Sequence, residues 1–557
     1  MTLNWVRYFY TVRSLRLIQM YGFARNRVLR GLPTGSAMVE GARVSDRVRP
    51  PRLPFLRPLR SLRDTTLTFL NHPVRYPQGV RWDDPEPVKL WRYNLHYMHF
   101  LHQCDMTAAR QREWMRLWMH GNPNPRGEGW EPFPTSVRLV NWLKVWWREG
   151  AVEGDAPLLA SAYAQARYLR RWVEVHIQGN HLFENLKTLF WAGWTFHGRE
   201  AERWRVWAAR HLWRQLEEQI LPDGGHCERS PMYHSYVLEG CLDLLNIHAT
   251  WGSQDSGLST LLTNKASAML AWLETMTHPD GEIALLNDAA FKMAPAPHRL
   301  LHYGRQLGLE WSAPERVVHL NDSGYLVMRD NGHFLVLDIG QLGLDYQPSH
   351  GHCDMFSFEW SLGTQRVICD SGVNAYQDPV MRPYVRSTAA HNTVRIDGED
   401  QSEVWKEFRV ARRAYPVIHN VETTADGAIC VRGYHRGYCR LPGRPVHQRT
   451  FRFCGGHLVL LDEITGLGEH ELEAFIHFHP SVTVQSQEGE AFELFLPPHK
   501  IGFVHYRHWQ HASLRQSWYC PEFGKRESRL VLHLRSCVRL PFEGRVDIRL
   551  NHIPLLP

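Results

Sequence analysis

At 557 residues, 43% apolar and 22% charged, the chain is long enough for two or three cored domains and too apolar to be disordered. Its formal charge of +7 sits at one end: residues 1–63 hold thirteen Arg, no Lys and two acids, Glu40 and Asp46, which makes that segment +11 and the remainder −4. A basic tail ahead of a near-neutral body argues against a nucleic-acid-binding protein and predicts attachment to an anionic surface or partner.

The first thirty residues interleave Arg with Trp5, Tyr8, Phe9, Tyr10, Leu15, Leu17, Ile18, Tyr21 and Phe23. Two expectations fit: a basic amphipathic helix lying on a membrane surface, or a helix packed on its own body. Arg7, Arg13 and Arg16 interrupt any apolar core of a signal peptide, and no apolar run reaches the roughly 18 residues of a membrane span. Ten cysteines without regular spacing read as reduced thiols. A cytoplasmic or inner-membrane-associated location is therefore expected, with the periplasm or cell envelope as the alternative.

Residues 31–60, rich in Pro, Gly and Arg, read as an extended linker. From Trp91 to Leu301 apolar residues recur at three and four, as in Val137, Val140, Trp142, Val145 and Trp146, which predicts stacked helical hairpins. From Gly324 the period becomes two, as in Phe356, Phe358 and Trp360 and again in Leu458 to Leu461, which predicts a large antiparallel sheet domain, a sandwich. The expected units are 1–85 (basic extension and linker), 86–310 (helical) and 311–557 (β).

Three clusters place polar residues inside apolar helical runs: Trp130 to Asn141, Gly179 to Asn185, and Gly224 to His234. Burying so many polar groups is costly without partners, which either a binding site or helix capping and helix-to-helix hydrogen bonds supply. In the β half, His350-Gly351-His352 precedes Asp370 and His391. Two histidines one residue apart on a strand point to opposite faces, so only one can join Asp370 and His391 in a mixed N/O set that suits Zn²⁺. Three separate hydrogen-bonded histidines fit the same spacing.

The chain resembles the heparinase II/III family of polysaccharide lyases from about Leu90 onward. The resemblance rests on Trp91 to Tyr97, Pro134 to Arg138, Asn180 to Asn185, Glu228 to His234, His350 to Asp354 and Arg386 to Thr393. It implies a multidomain α+β chain: an incomplete (α/α) toroid, then an antiparallel β-sandwich, with the active cleft at their junction. It also implies β-elimination beside a uronic acid, giving a 4,5-unsaturated end. Asn180, assisted by His181, neutralises the carboxylate; Tyr233 protonates the leaving oxygen and, for syn elimination, takes the C5 proton; His350 is the second catalytic residue. A further active-site tyrosine is expected between Asp370 and His391, either Tyr376 or Tyr384, with Tyr376 put forward. Arg138, Asn141, Glu184, Tyr97, His234 and Arg386 are the expected substrate-binding side chains, Glu184 also orienting Asn180 or His181. His352, Asp370 and His391 match the positions that hold a structural zinc ion.

Signal-less relatives of this layout imply a role in bacterial exopolysaccharide, capsule or lipopolysaccharide production, on an anionic polysaccharide substrate and with a possible membrane or envelope-assembly partner. The alternatives are a glycan-binding or assembly protein without turnover, a zinc hydrolase and a uronate C5 epimerase.

Overall fold

The computed structural model describes residues 2–29, 41–250, 256–487 and 489–551, so part of the expected linker, 30–40, lies outside the described residues. Two helices open the chain, α1 (Thr2–Val12) and α2 (Leu17–Leu29). An extended ribbon then runs over the helical body, pinned where Asn246 accepts from Leu53 N at 3.0 Å and donates to Leu53 O at 2.8 Å. This stretch is packed along its neighbour and does not act as a loose linker. A small antiparallel sheet follows (Leu62–Arg63, Thr66–Phe69, His72–Arg75).

The helical body comprises α3 (Lys89–Tyr97), α4 (Ala108–Gly121), α5 (Pro132–Glu149), α6 (Ala156–Trp172), α7 (Gly179–Thr195), α8 (Arg199–Gln219), α9 (Pro231–Ala249), α10 (Ser256–Met276) and α11 (Pro297–Gln306). Local sequence sets several of its boundaries. Pro occupies the first turn of α5, α6, α9 and α11, where its missing N–H has no partner to lose. The Ser230 side chain accepts from Tyr233 N and caps α9, which places Tyr233 in the first turn. α7 packs against α5, α8 and α9, and is buried along almost its whole length. Trp118, Trp142, Trp146, Trp147 and Trp191 fill the core between these helices.

From Val317 the chain is antiparallel β. A five-stranded meander runs from Val317–Leu320 to Gln365–Ile368. An eight-stranded sheet joins seven strands between Pro416 and Arg507, with Phe542–Leu550 inserted between His457–Thr465 and His499–Arg507. A four-stranded sheet carries Glu469–His477 and Glu527–Arg539 at its centre. Inward residues of all three sheets share one core, including Phe358, Trp360, Phe451, Leu460, Ile476, Leu532 and Ile548. None of the ten cysteines is in a disulfide. Among the described residues no helix is long and apolar enough to cross a membrane.

Two buried carboxylates tie this body together and make it acid-sensitive. Glu359 accepts from His278 Nε2 at 3.1 Å, Leu285 N at 3.0 Å and Asp370 N at 2.8 Å. Asp462 takes a paired contact from Arg449, at 2.7 and 2.9 Å, and one from His447 at 2.8 Å. Burial pushes both carboxyls up, but the His278 hydrogen bond and Arg366 hold Glu359 at about 2, and Arg449 and His447 hold Asp462 at about 2. A depressed folded-state pKa contributes stability that is present above the ordinary values of 4.5 and 3.8 and is lost as pH falls toward 2. The midpoint of thermal unfolding is expected to fall between those limits, each group contributing on the order of 2 kcal/mol. In Asp462→Asn, titrated by calorimetry, the fall should be shallower.

Candidate active site

The helical and β bodies meet where Tyr233 faces the segment 341–391. Its ring lies 4.0 Å from that of His350, and its hydroxyl is 2.8 Å from the hydroxyl of Tyr376. Tyr384 is held away, its hydroxyl 2.6 Å from Ser517 Oγ. Of the two loop tyrosines, Tyr376 is the one beside Tyr233. Phe408 closes the group, 5.1 Å from the Tyr376 ring and 6.3 Å from that of His350. Burial pushes the Tyr233 phenol above the ordinary tyrosine value, so it is protonated at neutral pH.

His350 and His352 do not diverge on a strand. Residues 349–354 form a loop, and both rings reach the same carboxylate, Asp288. His350 Nδ1 donates to Asp288 Oδ2 at 3.0 Å, and His352 Nε2 donates to Oδ1 at 2.9 Å. Arg382 completes the set with a two-pronged contact, one prong at 2.8 Å. Burial raises the Asp288 carboxyl, but Arg382 and the hydrogen bonds from His350 and His352 together hold it well below the ordinary carboxylate value, so the group is ionised. An ionised carboxylate only accepts, so the proton of neutral His350 is on Nδ1 and Nε2 carries the lone pair.

Asn180, in the first turn of α7, is held by Glu228: its backbone N–H donates to Oε1 at 3.0 Å and its Nδ2 to Oε2 at 2.7 Å. Gln347 donates to the same Oε1 at 2.9 Å. Gly179 makes room, since a Cβ there would lie 2.0 Å from Glu228 Oε1, and its φ of +54° is one that side chains rarely adopt. Asn180 Oδ1 and Gln347 Oε1 are buried without a partner. Burial raises Glu228, but His226, His350 and the Asn180 hydrogen bonds keep it below the ordinary glutamate value. His181 is 3.2 Å from Glu174; burial lowers the imidazole pKa, but the charge and hydrogen bond of Glu174, with Glu228 and Glu131 nearby, together raise it.

Glu184 orients neither Asn180 nor His181. It accepts from Tyr236 at 2.9 Å and pairs with Lys187 at 2.7 Å. With Asn141, Glu184 lines a cavity of about 530 Å³ between the helical body, the segment 56–71 and Glu522–Phe523, whose walls also carry Lys144 and Glu239. A second cavity, about 420 Å³, lies against Tyr376, Trp91 and Phe523.

Three expected substrate groups belong to the interior. Arg138 is fully buried, donates to Gly129 O at 2.7 Å and to Gln165 at 3.0 Å, and stacks on Trp118. His234 donates to Met269 O at 3.0 Å, with its ring stacked on Trp272. Arg386 spends its guanidinium on the carbonyls of Gly351, Lys406 and Glu407. Each lies in a run where polar side chains alternate with apolar ones, and burial resolves them as packing groups. Tyr97 is also mostly buried, against Tyr93, Phe133 and Val137. Asp288, Glu228, Glu174 and Arg382 had no assigned role in sequence; Glu228 alone stood in a recognised motif.

The residues expected to hold zinc converge. Nitrogen or oxygen atoms of His352, Asp370 and His391 lie within 4.8 Å of one another, all buried. His352 uses Nε2 on Asp288 and His391 uses Nδ1 on Asp370 at 2.7 Å, so each presents its other nitrogen as a lone pair. Those two nitrogens, and Oδ2 of Asp354, two residues after His352, are buried with no hydrogen-bond partner. Orphaned buried lone pairs on two imidazoles and a carboxylate fit a Zn²⁺ donor set.

A helical ring joined to antiparallel sheets, with its polar cluster at the seam, defines the class of toroid-and-sandwich proteins. Residues 68–300 match the heparinase II/III N-terminus and residues 312–547 match the heparinase II/III-like C-terminal domain, and the chain belongs to the heparinase II/III family. It is 27% identical over 251 residues to a heparin-sulfate lyase of Bacteroides stercoris, covering 41% of this chain and 37% of that protein. It is 26% identical over 361 residues to a heparin-sulfate lyase of Pedobacter heparinus, covering 58% of this chain and 52% of that one. The matches thus span about half or less of these curated relatives. A heparinase III crystal structure has the same fold, with a TM-score of 0.70 at 16% identity over 90% of this chain and 88% of that one.

Proposed function

We propose that this chain is a polysaccharide lyase that cleaves a uronic-acid-containing polysaccharide by β-elimination. The observation that carries this reading is the meeting of Tyr233, Tyr376 and His350 at the seam, with Asn180 beside Glu228 on the next helix. Elimination needs three things: a partner for the carboxyl group at C5, a base for the C5 proton, and an acid for the oxygen leaving C4. The protonated phenol of Tyr233 supports the acid role. The lone pair on His350 Nε2, set by Asp288, supports the base role. Glu228 fixes the Asn180 amide by accepting one of its N–H groups, leaving the second N–H to donate to the substrate carboxylate. The C5–H electron pair then forms the C4=C5 bond, the C4–O bond breaks, and the leaving oxygen takes the Tyr233 proton.

The substrate we favour is a uronate-bearing bacterial exopolysaccharide, capsule or lipopolysaccharide. The test is ultraviolet absorbance of the 4,5-unsaturated product on a panel of uronate polymers that includes the producing cell's own. No absorbance rise with any of them would end the lyase reading.

Zinc, held by His352, Asp370 and His391, would brace the loop behind His350. Metal analysis is expected to find one equivalent, lost in the His352→Ala/His391→Ala double variant. Chelation should lower the unfolding temperature of the parent and leave that variant unchanged. A parent protein that purifies without metal and binds none on addition would refute the site.

A further inference from the structure

The two N-terminal helices are docked by one side only. In α1, the Tyr8 ring meets Trp405 edge-on at 4.9 Å, and Thr11 Oγ1 accepts from Trp405 Nε1 at 3.1 Å. In α2, Gln19 is buried and donates to the carbonyls of His176 at 3.3 Å and Tyr346 at 3.1 Å. Gly22 sits so close that an added Cβ would lie 2.8 Å from His176 Cβ. Arg16 pairs with Glu218 and stacks on Tyr346. The pair therefore bridges the helical body, through His176 and Glu218, and the β body, through Tyr346 and Trp405.

Among the described residues nothing covers the other side. Trp5 (77% exposed), Phe9 (63%) and Val12 follow at i, i+4 and i+7 on α1, and Leu17 (84%), Met20, Tyr21 and Val28 (69%) continue the stripe on α2. Of the 23 large hydrophobic side chains exposed among the described residues, eleven lie between Trp5 and Val28. Such a concentration is a patch and not the usual scatter of exposed apolar residues. Its charge has one sign: residues 1–39 contain six Arg and no Asp, Glu or Lys. Arg13, in the turn between the two helices, and Arg27, on α2, are exposed, as are Lys406 and Arg409 beside Trp405.

An apolar helical face rimmed by Arg13, Arg27, Lys406 and Arg409 complements a surface that is anionic outside and apolar beneath. We propose that α1 and α2 form a docking face that seats this protein on an anionic lipid bilayer. Trp405, which α1 grips, belongs to the ribbon Val404–Trp405 and Arg409–Val410, whose connecting Phe408 packs on Tyr376 and His350. Seating the helices thus places the candidate cleft beside the membrane, whatever reaction the cleft performs.

The experiment is flotation of the full chain with vesicles of phosphatidylcholine, with and without phosphatidylglycerol. Binding is expected only with phosphatidylglycerol present, weakening as salt rises. Trp5→Ser/Phe9→Ser/Leu17→Ser should lower partitioning about tenfold or more, and Arg13→Gln/Arg27→Gln should lower it about tenfold. Unchanged thermal melting of each variant shows that the fold is kept; if the triple variant misfolds, the Arg pair and Leu17→Ser alone carry the test. No flotation at low salt, or variants that float like the parent, would overturn the proposal. So would light scattering showing a parent dimer that the triple variant converts to monomer, because a second copy would then be what covers the face.

Discussion

Tyr233→Phe is expected to abolish formation of the unsaturated product, lowering kcat by about a thousandfold or more, while leaving the unfolding temperature within a few degrees of the parent. The substitution deletes one oxygen. In the folded protein that oxygen contacts Tyr376 at 2.8 Å, and losing a single hydrogen bond of this kind costs about 1 kcal/mol. The ring keeps its packing on His350, so the cleft retains its shape. What is lost is the proton destined for the leaving oxygen. Tyr376→Phe makes a useful contrast: it removes the partner of that proton and not the donor, so a smaller loss is expected. Equal losses in the two variants would mean that the tyrosines exchange roles, and normal turnover in Tyr233→Phe would remove it from the chemistry. Because burial holds the phenol above the ordinary tyrosine value, the alkaline limb of the rate profile should not fall near the pKa of a free tyrosine.

The succession of helical body and antiparallel sheets was legible because the apolar period changes from 3.6 to 2 near Gly324, and burial along Arg199–Gln219 and Val446–Cys454 follows those two periods. Asn180, Tyr233 and His350 could be singled out because each stands in a short motif that carries the family resemblance; the polar clusters alone fit capping equally well. Their orienting partners could not. Asp288 lies in an ordinary-looking turn, and the groups it joins, His350, His352 and Arg382, are 62, 64 and 94 residues away. Glu174 is similarly silent, and Glu228, though it opens a recognised motif, shows no role until α7 is folded against its neighbours. Arg138 shows the converse limit. A polar residue inside an apolar helix looks the same in sequence whether it faces a cleft or stacks on Trp118, and only packing separates the two. The histidine pair failed for a local reason: alternation assumes a strand, and Gly351 lies so close to Leu342, where a Cβ would be 2.2 Å from its carbonyl, that the segment turns as a loop.

Asp288→Asn should have the other large effect, and it should be felt twice. The carboxylate is fully buried and takes four contacts, two from Arg382 and one each from His350 and His352. An amide of the same shape leaves the Arg382 guanidinium, 2% exposed, without its counter-charge, and breaking a buried pair in this way costs about 3–5 kcal/mol. An amide also presents one donor face where the carboxylate had only acceptors. His350 is then free to carry its proton on Nε2, which removes the lone pair required of a base. A wrong tautomer at a general base costs on the order of 10⁴-fold in rate. The two effects separate by experiment. Denaturant unfolding reads the first, and kcat measured well below the unfolding temperature reads the second. If Asp288 acts through His350, adding His350→Ala to Asp288→Asn should cost almost nothing further in kcat, because the two residues act as a unit. Additive losses would place Asp288 in the scaffold alone.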